Sequence, residues 1–114
     1  MTDCLFCKIV AGAIPARKLF EDDEALAFAD LHPQAPLHAL VIPKRHIATL
    51  NDLSSDDEPL VGHLHTIAAH LAREAGYAES GYRVVLNCNR QGGQTVFHVH
   101  LHLLAGRGLD WPPG

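Results

Sequence analysis

The chain has 114 residues, 47% of them hydrophobic, and a formal net charge of −4, which predicts a single globular domain over residues 1–114. No Lys/Arg run is longer than Lys44-Arg45, so we expect no nucleic-acid partner. Without a long apolar run or a signal-peptide pattern near the N-terminus, the sequence favours a cytoplasmic protein with no membrane partner. Its odd cysteine count of three argues against a disulfide framework.

The first half of the chain predicts short elements separated by turns. The predicted elements are a helix over 4–11 ending at Gly12, strands over 18–21 and 25–29, an irregular segment over 30–36, and a strand over 38–42 ended by Pro43. Acidic residues 22–23 suit the turn between the first two strands.

The second half predicts one long helix and two further strands. Ser55 and Glu58 fit a capping box, apolar residues then recur at helical spacing, and Gly76 ends the helix. Residues 82–86 and 97–104 are predicted strands. Short strands around one main helix predict an α+β fold on a mainly antiparallel sheet. The histidines at 63, 65 and 70 do not share a metal-binding helix face and are predicted to be partly exposed.

His98, His100 and His102 alternate with Val99 and aliphatic residues. This period of two predicts a strand with all three imidazoles on one face, about 6.5–7 Å apart. Such a face suits a metal site or acid–base and nucleophilic chemistry, and the alternative is a solvated strand face.

Two other short patterns are ambiguous by themselves. Cys4-Leu-Phe-Cys7 fits a zinc site, a redox pair or coincidence, although no strand precedes it as in a thioredoxin-like motif. Gly92-Gly93 before the histidines is a turn when taken alone. Cys88 stands apart and is predicted to be a half-buried packing residue.

Taken together, the motifs resemble the histidine triad family, and specifically its nucleotide-binding branch. The matching segments span nearly the whole chain: His98-Val-His-Leu-His-Leu-Leu, Ile14-Pro-Ala, Phe20-Glu-Asp-Asp, Pro33-Gln-Ala-Pro, Leu40-Val-Ile-Pro-Lys, Gly92-Gly-Gln-Thr and Trp111-Pro-Pro-Gly. The resemblance implies a homodimer, five-stranded sheets, and hydrolysis of purine nucleoside phosphoramidates to a nucleoside monophosphate and an amine.

The same resemblance implies roles for the histidines. His100 would attack phosphorus and carry the nucleotidyl group, and a backbone carbonyl would hold its other nitrogen protonated. His102 and His38 would bind phosphate and support the network, and His98 completes the catalytic set. The leaving amine needs a proton from this network or from the substrate.

The resemblance also implies a nucleotide-binding set. Gly93, Gln94 and Thr95 would form a phosphate loop, Asp30 would bind the ribose hydroxyls, and Phe28 and Leu31 would lie beside the base. Further implied contacts to the nucleotide come from Asn87, His100 and His102. Trp111 would contribute from a C-terminal tail that crosses the dimer. By composition alone Phe28 is equally a core residue, and terminal residues such as the tail are commonly disordered.

For the cysteine pair, the resemblance to bacterial members implies one structural zinc per chain, held by Cys4, Cys7, His46 and His98. Such a site is closed to catalysis, and no catalytic cofactor is implied. The alternative is unmetallated thiols beside a core histidine. For the whole protein, the alternatives are a purine-nucleotide sensor or adaptor and a dinucleoside polyphosphate hydrolase.

Overall fold

Residues 3–113 are described by the structure, a computed structural model. Within them, five strands form one antiparallel sheet in the order β1-β2-β3-β5-β4. The elements are α1 (Leu5–Val10), β1 (Lys18–Glu21), β2 (Ala25–Ala29), β3 (Leu37–Pro43), α2 (Glu58–Glu74), β4 (Tyr82–Val85) and β5 (Leu101–Ala105). The predicted α+β fold is confirmed. Over this range, no helix combines the length and the hydrophobicity needed to span a membrane.

The long helix α2 covers one face of the sheet. The helix buries Leu64, Ile67 and Leu71 against Ala39 and Leu103 of the central strands. Small strand residues let a helix approach the sheet closely, and the well-packed leucines and isoleucine supply the apolar area that stabilises the contact. The predicted helical stripe is therefore the main core contact.

The short helix α1 covers part of the opposite face. Phe6 and Ile9 pack there on Leu26, Phe28 and Leu40. Because residues alternate between the two faces of a strand, His38 lies on the same face of β3 as Leu40. The β3–β5 register then places His102 opposite Leu40, beside that histidine.

The capping box predicted at Ser55 and Glu58 is wrong by one residue. The reciprocal pair is Ser54 and Asp57, and the Asp57 carboxylate accepts the Ser54 N–H at 2.9 Å. A short 3₁₀ turn precedes the helix, so the capping side chains act one residue earlier than the pattern indicated.

The predicted strand over 97–104 is also wrong at its start, because β5 begins at Leu101. Its pairing with β3 ends where Val41 lies opposite Leu101. Pro43 has no N–H to continue the ladder, and the Val99 N–H donates instead to Ile47 O at 2.7 Å. The first two histidines of the motif therefore lie in irregular backbone ahead of the strand.

Candidate active site and metal-binding cluster

His100 is held in one tautomer by the chain itself. Its Nδ1 lies 2.7 Å from the carbonyl oxygen of His98. A carbonyl only accepts, so Nδ1 carries the hydrogen and Nε2 keeps its lone pair. Burial lowers the pKa of His100, which favours the neutral form. The arrangement presents an unprotonated imidazole nitrogen suited to nucleophilic attack.

A hydrogen-bonded chain of histidines stands beside it. The Gln34 N–H donates to His38 Nδ1 at 3.0 Å, so the hydrogen of neutral His38 is on Nε2. That nitrogen lies 2.9 Å from His102 Nδ1, which must accept. His102 therefore carries its hydrogen on Nε2, available to an oxygen or nitrogen of a bound ligand. The Asp30 carboxylate lies 3.4 Å from His38 Nε2.

The surroundings of His38 and His102 favour the uncharged form of both imidazoles. Burial, followed by the neighbouring His100 and His38, lowers the pKa of His102 to about 4. Burial also lowers the pKa of His38, although Asp30 opposes this shift. Near pH 7 both rings therefore act as neutral donors and acceptors rather than as cations.

The pKa of His102 predicts an acid-dependent loss of stability. The ring titrates near 6.5 without the fold and at about 4 within it, so the unfolded chain takes the proton first. The stabilising contribution is complete above pH 6.5 and is lost as pH falls towards 4. Urea unfolding across this range should show a shallower pH dependence for His102→Gln than for the parent protein.

The groups facing His102 are His38 on β3, His100 on its own segment, and Asp30. Parent and variant both retain the cysteine–histidine cluster, so the difference between their curves isolates His102. Identical curves would show that this ring does not couple folding to pH.

A cleft of about 350 Å³ opens between α1 and the sheet. Six predicted nucleotide-binding residues line it: Phe28, Asp30, Leu31, Thr95, His100 and His102. The wall also contains Phe6, Ile9 and Ile14, which sequence reasoning missed. The signal was present, because Phe6 and Ile9 are three apart on one helix face.

The remaining predicted contacts lie outside the residues lining this cleft: Asn87, Gly93, Gln94 and Trp111. The buried Gln94 side chain donates to Ala48 O and Val96 O at 2.8 and 3.1 Å, and it accepts the Asn89 N–H at 2.8 Å. The Gly93 N–H donates to Arg90 O. Direct nucleotide contacts from Gly93 and Gln94 therefore stay predictions, and the visible role of Gln94 is to tie the loop together.

The two glycines of this loop occupy different environments. A Cβ at Gly92 would lie 2.5 Å from the Cys88 carbonyl oxygen. Gly93 has φ +86° and would place a Cβ no nearer than 3.9 Å to the Asn87 amide. Gly92 is therefore required because the main chain at Cys88 leaves no room for a Cβ. Gly93 is favoured because its positive φ suits glycine.

The C-terminal tail is attached to β4 by one side chain. Arg83 donates to the carbonyl oxygens of Leu109 and Asp110 at 3.1 and 2.8 Å. Trp111 follows with 83% of its surface exposed. The contact of Trp111 with a partner's cleft stays a prediction.

Cys4, Cys7, His46 and His98 form a second cluster, with all four ligand atoms within 4.8 Å of one another. His98 Nδ1 lies 3.3 Å from Cys4 Sγ and 3.3 Å from His46 Nδ1. His98 Nε2 donates to Pro43 O at 2.7 Å, so Nδ1 keeps its lone pair for the cluster. Two sulfurs and two imidazole nitrogens at this spacing can hold a metal ion.

His98 thus belongs to the cysteine cluster, whereas His100 and His102 line the cleft. The prediction that one strand carries all three histidines is wrong, because His98 and His100 precede β5. Their imidazoles stay adjacent, since the Phe6 ring contacts both His98 and His100, and the ring centroids of His100 and His102 lie 5.0 Å apart. The three histidines on α2 are separate, as predicted: His65 and His70 are exposed, and half-buried His63 pairs with Asp22 at 2.6 Å.

The sequence profile described as "Scavenger mRNA decapping enzyme C-term binding" matches residues 3–108. A purine nucleoside phosphoramidase of Escherichia coli is 47% identical over 94% of this chain and 90% of its own length. An uncharacterized HIT-like protein of Synechococcus elongatus is 50% identical over 98% and 97%. A HIT family hydrolase from Legionella pneumophila is 56% identical, covers 97% and 99% of the two chains, and superposes with a TM-score of 0.96.

Proposed function

Because this chain belongs to the histidine triad (HIT) family, we propose that it is a hydrolase of purine nucleoside phosphoramidates. One observation carries the proposal: the His98 carbonyl fixes hydrogen on His100 Nδ1 and leaves Nε2 free in a nucleotide-sized cleft. The similarity to a purine nucleoside phosphoramidase supports the substrate class.

The reaction proceeds in two displacements at phosphorus. His100 Nε2 attacks, the P–N bond breaks, and the bonding pair leaves with the amine, which takes a proton from the histidine network or from the substrate nitrogen. Water then attacks the nucleotidyl-histidine, and its oxygen remains on the released nucleoside monophosphate. The expelled His100 nitrogen recovers its lone pair, and one proton of the water replaces the proton that the network gave to the amine, or passes to solvent where the substrate nitrogen brought its own proton.

Around this centre, each wall of the cleft suits one part of the substrate. His102 Nε2–H donates to a phosphoryl oxygen and stabilises the charge that develops there. The Thr95 hydroxyl is a second donor from the glycine loop. Asp30 accepts from the ribose hydroxyls, and the apolar surfaces of Phe28 and Leu31 hold the base.

The cysteine–histidine cluster is a zinc site in this proposal, with one structural ion per chain. Its donor set, two thiolates and two imidazoles, suits zinc, and four protein ligands leave no position for substrate. The Pro43 carbonyl orients the His98 ring, as outer partners of metal-bound histidine commonly do. Reduced thiols at this site fit a cytoplasmic protein.

The proposal includes a homodimer. Strand β4 is an edge of the sheet, and edge strands with unpaired backbone groups favour pairing with a second strand. The exposed Trp111 at the end of the Arg83-anchored tail would then reach the leaving-group side of the partner's cleft.

Turnover of two substrates tests this function against its alternatives. We expect kcat/KM for an adenosine phosphoramidate to exceed that for a diadenosine polyphosphate by at least about 100-fold, because the cleft is short and its donors surround one phosphoryl group. Initial rates with purified, zinc-loaded protein measure the ratio. Preference for the diadenosine compound would indicate a dinucleoside polyphosphate hydrolase, and nucleotide binding with no turnover would indicate a sensor.

A further inference from the structure

The His100 ring lies 5.0 Å from the His102 ring, and two further contacts that orient it come from segments attached to the cysteine–histidine cluster. The first is the 2.7 Å hydrogen bond from His100 Nδ1 to the carbonyl oxygen of His98. The second is the Phe6 ring, whose centroid lies 5.1 Å from that of His100 at an interplanar angle of 83°. Phe6 lies between Cys4 and Cys7 in the chain, and His98 is itself a cluster member.

Both ring nitrogens and the carbonyl oxygen of His98 are engaged. Its Nδ1 faces the cluster, its Nε2–H donates to Pro43 O, and its carbonyl accepts from His100. The residue is fully buried. A metal bound to Nδ1 would therefore fix the His98 ring between the cluster and the Pro43 carbonyl. A fixed ring in turn holds the direction of the His98 carbonyl, which selects the His100 tautomer.

The other segment, α1, is attached through the same cluster and through apolar packing on the sheet. It has only six residues, far fewer than a helix needs to be stable alone. Cys4 caps it by accepting the Cys7 N–H at 3.3 Å, and Phe6 and Ile9 supply its apolar contacts. A bound ion would join both cysteines to His46 and His98, and so hold Phe6 against the nucleophile.

We propose that metal bound by Cys4, Cys7, His46 and His98 positions the catalytic nucleophile, in addition to stabilising the fold. The inference rests on the proposed nucleotidyl transfer at His100 and on metal occupancy of the cluster. The four ligands act as positioning residues: metal loss releases α1 and the His98 carbonyl, and His100 then samples the wrong tautomer and orientation. Misplacement of a reacting atom by about 1 Å can cost on the order of 100-fold in rate.

The test compares zinc-loaded protein with protein stripped by a chelator. Nitrogen-15 NMR of the His100 ring at about pH 8, where free imidazole is neutral, reports its tautomer without any substrate. We expect a single Nδ1–H tautomer in loaded protein, mixed tautomers in stripped protein, and a fall in kcat of about tenfold or more that exceeds the rise in KM. Circular dichroism confirms that both samples are folded.

Two variants sharpen the comparison. His46→Gln removes the exposed ligand that contacts neither Phe6 nor His100, so zinc should restore both kcat and the tautomer as the site fills. Cobalt absorption measures that filling through the cysteine ligands. Cys88→Ser, a half-buried cysteine outside the cluster, is the matched control and should resemble the parent protein with and without zinc.

A stripped, folded protein with the same His100 tautomer and kcat within about twofold of the loaded form would overturn the inference. If stripping unfolds the parent chain, folded His46→Gln at sub-saturating zinc decides: a single tautomer and a kcat that both increase with filling of the site support the inference, and values independent of filling refute it. If no substrate is turned over, the proposed function fails, while the NMR comparison still decides the metal's effect on His100.

Discussion

Replacement of His100 by asparagine is expected to lower kcat by about 10⁴-fold or more, with affinity for nucleoside monophosphate retained. The variant loses Nε2, the only His100 nitrogen with a free lone pair, because Nδ1 is committed to the His98 carbonyl. The asparagine amide can still donate to that carbonyl, so the local backbone keeps its partner. Steady-state rates and calorimetric titration with nucleoside monophosphate separate the two effects.

The matched control is His65→Asn, at an exposed position on α2 remote from the cleft, and it should leave both quantities unchanged. Acid-quenched mass spectrometry should detect a nucleotidyl adduct on the parent protein and none on His100→Asn. Turnover by that variant within about 100-fold of the parent would exclude covalent catalysis at this residue.

The second large effect is on thermal stability. Zinc at about 1,000 times its dissociation constant should stabilise the folded chain by roughly 4 kcal/mol, since the ligands are assembled only in the folded state. For a domain of this size, that corresponds to a rise in Tm of about 15 °C or more. Differential scanning calorimetry of stripped protein, with and without added zinc, measures the shift.

Cys4→Ser should lose most of that rise, because the hydroxyl replaces one of two thiolates in the cluster. Cys88→Ser supplies the control with one fewer cysteine and an intact cluster. Equal Tm values with and without zinc in the parent protein would contradict a structural zinc site, as would an undiminished shift in Cys4→Ser.

Local signals were sufficient to predict most elements of the fold. The strands at 18–21 and 25–29 were predicted with the bounds that the structure has, because acidic turn residues separate two short apolar runs. The helical spacing of its apolar residues predicts α2, and Gly76 predicts its end, since this glycine has φ +89° just beyond the helix. Its first residue was harder to predict, since two serines and several acidic residues offer competing caps.

The candidate site depended more on contacts between distant parts of the chain. The alternating histidines predicted a strand over 97–104, but β5 begins at Leu101, and the His98 ring lies in the cysteine cluster with its Nε2 hydrogen-bonded to the Pro43 carbonyl. The two-residue period of the histidines does not reveal a contact with Pro43, 55 residues earlier in the chain. His46 lies 39 residues from Cys7, so only a family resemblance could join them in advance. The internal bonds of Gln94 likewise have no local signature.

Gly92 and Gly93 are neighbours of the same type, but they should tolerate substitution differently. Any side chain at Gly92 must displace the main chain at Cys88, because its first carbon would overlap the carbonyl oxygen at 2.5 Å. At Gly93 there is space, and the cost is conformational, so asparagine, which tolerates positive φ, is the most acceptable substitute. Sequence drift in this loop is therefore expected to begin at the second glycine, and a protein engineer seeking variety there should leave the first untouched.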